Sequence, residues 1–279
     1  MPPLWMMYPH INRFSIGWRM GYGEGYKYEF FDWLKNLSET ERNKYEEMFP
    51  APKTWLRYYS KDSAFEDFDS YFIESVQLWN KHGKMQYSLS TISDEFNKMG
   101  KQDFLFFWKP QNDVVNKSCL SQWQYTEFNA NGHKYYYAEQ YMMAEKARLF
   151  KDKEGLQQIM KSKDPKEIKD FGKKVRNFNQ VLWDKAKYAI VLNGNYFKFS
   201  RNKEMRDFLL ETGNKILVEA SPLDTIWGIG LSESDEKAYN PYLWRGQNLL
   251  GFALMEVRDD LRNVYKNYDK INWELFPEK

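Results

Sequence analysis

The chain has 279 residues, 29% charged and 42% hydrophobic, which suits one large globular domain or a domain with a sizeable extension and excludes a disordered chain. Forty-one basic residues against 39 acidic ones leave a formal charge of +2, which excludes a general nucleic-acid binder held by overall charge, so any basic surface must be local. Cys119 is the sole cysteine, His10, His82 and His133 stand far apart, no apolar run approaches about 18 residues, and "MPPLWMMYPH" lacks an export signal. A cytoplasmic protein is expected, with no internal disulfide, no Cys/His zinc site, no redox cofactor and no membrane span.

In chain order, an irregular glycine-rich start, "SIGWRMGYGEGY", leads into a mainly helical first hundred residues. Ser38 and Glu41 in "SETE" form a capping box for a helix that ends before "FPAP". Phe65, Phe68, Phe72, Val76 and Trp79 recur at helical spacing, so residues 63–80 read as one amphipathic helix. "KHGK" and "MGKQD" then punctuate a boundary, which divides the chain into a helical extension, 1–102, and a catalytic domain, 103–279. "DFLFFW" and "SQWQYTEF" have strand composition, and "NANG" before "HKYYY" reads as a hairpin turn.

The next segment, "AEQYMMAEKARLF" (138–150), is a helix with an unusual stripe. At about 100° per residue, Met142, Met143, Leu149 and Phe150 share an arc of roughly 120°, and Glu139 and Lys146 fall inside it. Gln140, Glu145 and Arg148, with Ala144 and Ala147, take the opposite side and read as the solvent face. Seven residues separate Glu139 from Lys146, about 10 Å along the axis, too far for an i,i+4 pair, so both aim at whatever meets the stripe.

Asp164 then caps a helix with Pro165 at its first position and Gly172 interrupting it. Lys173, Lys174 and Arg176 form a local basic cluster. "NKEMRDFLLETG" is a helix stopped by Gly213, "KILVEAS" a short strand and "SPLDTIWGIG" a loop. After "RGQN", Leu250, Ala253, Leu254, Val257 and Leu261 form one helix face, with Arg258 in its polar complement. The fold class is α+β, predominantly helical with a small sheet.

The motif inventory has no GxSxG elbow, P-loop, GxGxxG after a strand, CxxC or HExxH, which leaves carboxylate and lysine chemistry. Asp224 lies in a Pro/Gly-rich loop, a usual place for functional side chains, or caps a turn. Trp227 is a stacking ring or core. Gly246 to Asn248 precede a helix whose free N–H groups suit a phosphate, with Asn248 as N-cap in the plainer reading. Trp18 and Arg19 in the glycine-rich start are further substrate-contact candidates.

"SQWQYTEF", "YYYAEQYMMAEKA", "FGKKV", Trp183, "KFSRN", "LLETGNKILVEASPLDTIWGIG" and "GQNLLGFALMEVRDDL" follow one another between residues 103 and 265. In this order they resemble the NADAR, or YbiA-like, family, and the N-terminal "SIGWRMGYGEGYKYEFFDWL" and "FPAPKTW" look like the extension of one group of stand-alone bacterial members. The resemblance implies cleavage of an N-glycosidic bond at a ribose. Two substrate classes go with it: ADP-ribose on guanine bases in nucleic acid, and phosphoribosylamino-pyrimidine intermediates of riboflavin synthesis. Members of the first kind reverse the action of DNA-modifying ADP-ribosyltransferase toxins, and the extension favours this class, with DNA as substrate. A non-catalytic module binding ADP-ribose or NAD is the alternative from another class.

Glu139 and Lys146 match the family's Glu-x-x-Tyr/Phe-x-x-x-x-Lys helix. Asp224, Trp227, Gly228 and Gly230 match its Asp-x-x-Trp-Gly-x-Gly loop, and Asn248 matches its Gly-x-Asn. Lys173 stands where a Gly-Arg pair is common, and Trp244 and Arg245 where many members are glycine-rich. The resemblance thus implies Glu139, Lys146 and Asp224 as catalytic, with Lys173, Trp227, Gly228, Gly230 and Asn248 binding substrate; Arg19, Ser121 and Trp123 are added as substrate-binding candidates, and the scarcity of His and Cys leaves no metal expected. A carboxylate near C1′ stabilises oxocarbenium charge or activates water, which suits Glu139. A desolvated lysine is a nucleophile able to form an imine with an opened ribose, which suits Lys146.

Overall fold

Side-chain caps start half of the described α-helices. The computed structural model describes residues 1–276 except 12, 14, 56, 57, 60–84, 101, 112–114 and 131, so the helix expected over 63–80 lies outside the described residues. After a single turn, α1 (Leu4–Met7), and α2 (Tyr22–Lys35), α3 (Glu39–Met48) opens with the Ser38–Glu41 capping box. Ser38 Oγ accepts from the Glu41 N–H at 3.3 Å, and the Glu41 carboxylate accepts from the Ser38 N–H at 2.9 Å. A Ser88–Thr91 box starts α4 (Leu89–Met99), which ends at Gly100 in the left-handed region, φ 67°.

Two small sheets follow. Strand β1 (Phe104–Phe107) pairs in parallel with β4 (Ile216–Glu219), Phe107 opposite Glu219, while β2 (Phe128–Ala130) and β3 (His133–Tyr135) form the hairpin expected at "NANG". "SQWQYTEF" contributes only Phe128 to a strand. Its first half turns tightly, with Ser121 Oγ accepting from the Trp123 N–H at 3.3 Å and carbonyls drawn to a buried lysine, so no ladder runs through it.

The helices of the larger core are α5 (Ala138–Leu149), α6 (Lys153–Lys161), α7 (Pro165–Lys173), α8 (Gln180–Arg201), α9 (Lys203–Glu211) and α10 (Leu249–Val264). Asp164 caps α7 through the N–H groups of Lys166 and Glu167, with Pro165 at its first position, as expected. The longest, α8, is buried continuously from Tyr188 to Ser200, so no single stripe marks it in the sequence. It packs against α5 on one side and α10 on another, and α10 also covers β4.

Two expected solvent faces are corrected. Gln140, Ala144, Glu145 and Ala147, read as the outer side of α5, are fully buried, because α6, α7 and α8 surround the helix. Within the core the Gln140 amide donates to the carbonyls of Ile159 and Ser162, both at 3.0 Å, and Glu145 pairs with Arg148 through one of its two oxygens. Arg258, placed in the polar complement of the last helix, is also buried and donates to Thr212 Oγ1 at 2.9 Å and the Lys215 carbonyl at 2.8 Å.

A second, aromatic-rich cluster gathers Leu4, Trp5, Trp18, Tyr26, Phe30, Tyr45 and Trp55. Val264 at the end of α10 belongs to it, and Asn267 Nδ2 donates to the Met48 carbonyl at 2.8 Å. Among the described residues no helix is long and apolar enough to cross a membrane.

Close backbone approach makes a sharp test of the α10–β4 contact. A Cβ at Gly251 would lie 2.0 Å from the Leu217 carbonyl oxygen, a main-chain atom that has no rotamer to escape into. Gly251→Ala is expected to destabilise by about 1–3 kcal/mol, read as a thermal midpoint lower by several degrees.

Candidate active site

Helix α5 presents Glu139 in its first turn. The N–H of Glu139 donates to the Gln122 carbonyl at 3.1 Å, which anchors the helix start to the 118–124 segment. That segment is itself fixed from below by Lys198 of "KFSRN", fully buried in α8, whose Nζ donates to the carbonyls of Cys119 at 2.6 Å and Ser121 at 2.8 Å. Burial lowers the Lys198 ammonium to about 8.

The Glu139 side chain is buried, and burial pushes its carboxyl up to about 7. Lys169 and Lys146 pull it back down and Asp224 pushes it further up, which places all four groups within Coulombic reach. Lys146, half-buried, donates to the Gly172 carbonyl at 2.9 Å and lies over the rings of Phe178 and Trp183, 4.5 and 5.4 Å from their centroids. Burial lowers its pKa while Glu139 raises it. Gly172 is the contact that brings α7 onto α5, since a Cβ there would stand 1.9 Å from Met143 Sδ.

The 224–230 loop closes the other side. Asp224 Oδ1 accepts from the N–H groups of Ile226 at 2.8 Å and Trp227 at 2.7 Å, so this carboxylate caps a turn and also faces Glu139. Trp227 is partly buried against the larger core. Gly228 lies where a Cβ would meet the Glu219 carbonyl oxygen at 2.8 Å, and Gly230 adopts φ 67° against Arg245.

The expected phosphate site at the start of α10 is corrected. The N–H groups of Leu249 and Leu250 donate to the carbonyls of Ile226 and Trp227 at 3.2 and 3.1 Å, so they are not free for an anion. Asn248 is fully buried in the left-handed region, φ 53°, and its side chain does not cap the helix. Instead Oδ1 accepts from the Glu219 N–H at 3.0 Å and Nδ2 donates to the Leu217 carbonyl at 2.9 Å. Asn248 therefore holds β4 rather than reaching outward.

The remaining candidates scatter. Ser121 is buried and structural in its contacts. Trp123 is half-buried beside Tyr137, with Lys169 Nζ 5.8 Å from its ring centroid, which puts it at the rim by Glu139. Lys173 is exposed and lies 3.8 Å from Asp170. In the basic cluster, Arg176 bonds Asp152 at 2.7 Å and Glu154 at 3.1 Å. Arg19 is exposed at the end of a turn in the N-terminal aromatic cluster, and Trp18 is buried there against Tyr8 and Trp55.

Two residues that the sequence left unmarked join the site, Lys169 and Glu219. Glu219 ends β4 and is pushed up to about 8 by burial, then by Asp224 and Glu139. Its Oε2 is closed to water and has no hydrogen-bond partner among the described residues. The one signal for it in the sequence was a glutamate ending the apolar "ILV" run.

The place where Glu139, Glu219 and Asp224 come within Coulombic reach of one another, with Lys146 and Lys169 beside Glu139, offers carboxylate and lysine chemistry. The chain belongs to the NADAR family: the NADAR domain matches residues 106–262. An N-glycosidase of Acanthamoeba polyphaga mimivirus is 43% identical over 167 residues, 58% of this chain and 98% of that protein. An N-glycosidase of Nostoc punctiforme is 32% identical over 126 residues, 45% of this chain and 74% of that protein. The solution structure of Escherichia coli YbiA aligns with a TM-score of 0.47 at 24% identity, over 57% of this chain and 86% of that one.

Keeping acids out of water has a stability signature. Glu139 and Glu219 have folded pKa values, about 7 and about 8, above the ordinary 4.5 of the unfolded chain. The folded state therefore holds more protons between these values, and stability falls as pH rises from about 4.5 through about 8. Glu139→Gln and Glu219→Gln are each expected to raise stability at pH 8 by on the order of 1–3 kcal/mol and to change it little near pH 4, as followed by thermal melts across pH.

Proposed function

We propose that the protein is an N-glycosidase that removes ADP-ribose from guanine bases in DNA, countering a DNA ADP-ribosyltransferase toxin. The observation that carries the reading is the meeting of Glu139, Asp224 and Lys146 at one place, inside a family whose relatives include named N-glycosidases. The rim adds support for a nucleotide substrate: Trp123 offers a ring for a base, and Lys169 a cation for a diphosphate or backbone phosphate.

In the proposed reaction the C1′–N bond breaks with its electron pair going to the base, and positive charge develops at C1′. Glu139, once ionised, faces that charge and is the local base. Lys146, released from the Gly172 carbonyl and deprotonated, attacks C1′ through Nζ. The ring oxygen then leaves as a protonated hydroxyl, giving an imine that water hydrolyses to free ADP-ribose and the amine. Asp224 holds the loop with one oxygen and adds negative potential for the ribose.

Release of ADP-ribose from ADP-ribosylated guanine DNA and of ribose phosphate from a phosphoribosylamino-pyrimidine, run in parallel, tests the reading. Release from the first is expected; release only from the second overturns the substrate, and release from neither overturns the N-glycosidase. Borohydride added during turnover is expected to fix a mass adduct on Lys146, absent from Lys146→Ala. Undiminished turnover by Lys146→Ala excludes it as the nucleophile. Glu139→Gln is expected to lower kcat by about 10²–10⁴-fold.

A further inference from the structure

We propose that Glu219 is the general acid that gives the departing nucleobase its proton. This role rests on the N-glycosidase reading, which leaves the base's proton donor unassigned.

The backbone fixes where this side chain starts. Glu219 is the last residue of β4; its N–H donates to Asn248 Oδ1 at 3.0 Å and its carbonyl accepts from the Ile229 N–H at 3.0 Å. The strand end is thus held on one side by α10 and on the other by the 224–230 loop. The residue is only partly covered, yet Oε2 is closed to water and has no partner among the described residues. The carboxyl therefore keeps an unused hydrogen-bonding atom next to the loop that carries Asp224.

The charges around it set its protonation. Asp224 and Glu139 face it from the loop and from α5, and both disfavour its ionised form. The two cations, Lys169 and Lys146, act on Glu139. Both carboxyls are raised, but the cations favour ionisation of Glu139 while the neighbours of Glu219 are acids, which favours a base at the first and an acid at the second.

The proton count closes. As the C1′–N bond breaks, its electron pair goes to the base nitrogen, which takes the proton from the Glu219 carboxyl, leaving Glu219 a carboxylate. Charge at C1′ is quenched by the Lys146 amine or by water. A proton released when water adds returns to Glu219, so one water is consumed and the base leaves neutral.

The test compares wild type with Glu219→Gln, which keeps shape and cannot ionise, using DNA carrying ADP-ribosyl-guanine and the same DNA with that guanine methylated at N7. The fixed positive charge on the methylated base lets it leave without a proton. On the unmethylated substrate Glu219→Gln is expected to lose about 10²–10⁴-fold in kcat with KM within about threefold. It should also lose the fall in wild-type kcat above pH about 8. On the methylated substrate the loss should shrink to below about tenfold. Retention of a third or more of wild-type kcat, or an equal loss on both substrates, overturns the role for Glu219. Absence of ADP-ribose release by wild type overturns the N-glycosidase reading instead.

Discussion

Two carboxyl groups are kept out of water here without a cation at bonding distance, and the surrounding structure is what makes this tolerable. Glu139 is buried in the first turn of α5 and Glu219 sits at the end of β4, within Coulombic reach of each other. An isolated buried carboxylate is costly, so each responds by holding its proton to higher pH, and lysines stand back at Coulombic rather than hydrogen-bond range. Closing that range into ion pairs would stabilise the fold and neutralise the groups whose charge the reaction needs.

Holding these two elements in place falls to main-chain contacts of unusual closeness. Asn248 joins the strand to α10 with both ends of its amide, and the loop from Asp224 to Gly230 returns its carbonyls to the first N–H groups of the same helix. The glycines are there because backbone passes backbone: Gly228 over the Glu219 carbonyl, Gly251 over that of Leu217. On the opposite side Lys198 ties two carbonyls of the 118–124 segment, which in turn receives the N–H of Glu139. Both acids are therefore attached to rigid elements, a helix start and a strand end, and the loops between them are held by hydrogen bonds at each end.

Local chemistry was legible in the sequence and surroundings were not. The Ser38 box, Asp164 with Pro165, and the "NANG" hairpin depend on a few adjacent residues, and each is present. Which side of a helix meets water depends on how many neighbours it has, and the wheel of residues 138–150 carries no mark of α6, α7 and α8 closing around it. Gln140 and Glu145 read as surface because their chemistry permits it; in the core carbonyls accept from the first, and Arg148 meets one oxygen of the second. The free N–H groups expected before α10 failed similarly, because their acceptors come from a loop some twenty residues upstream. Glu219 was invisible for the opposite reason: a single acid ending a strand acquires meaning only when another helix and a loop bring two more acids to it.

Lys146 shows how such a site can keep a nucleophile in reserve. The Gly172 carbonyl and the rings of Phe178 and Trp183 favour its charged form, while burial favours the neutral one. At rest it is held away by a hydrogen bond and lends positive potential to Glu139. On the proposed reaction, positive charge growing at C1′ beside an ammonium disfavours that ammonium, so the step that makes the sugar electrophilic also makes the lysine easier to deprotonate. Glu139, on the same stripe and within Coulombic reach, acts on the ammonium through its charge rather than through a bond. The seven-residue spacing that rules out a direct ion pair thus keeps carboxyl and amine on one line of the helix as separate groups.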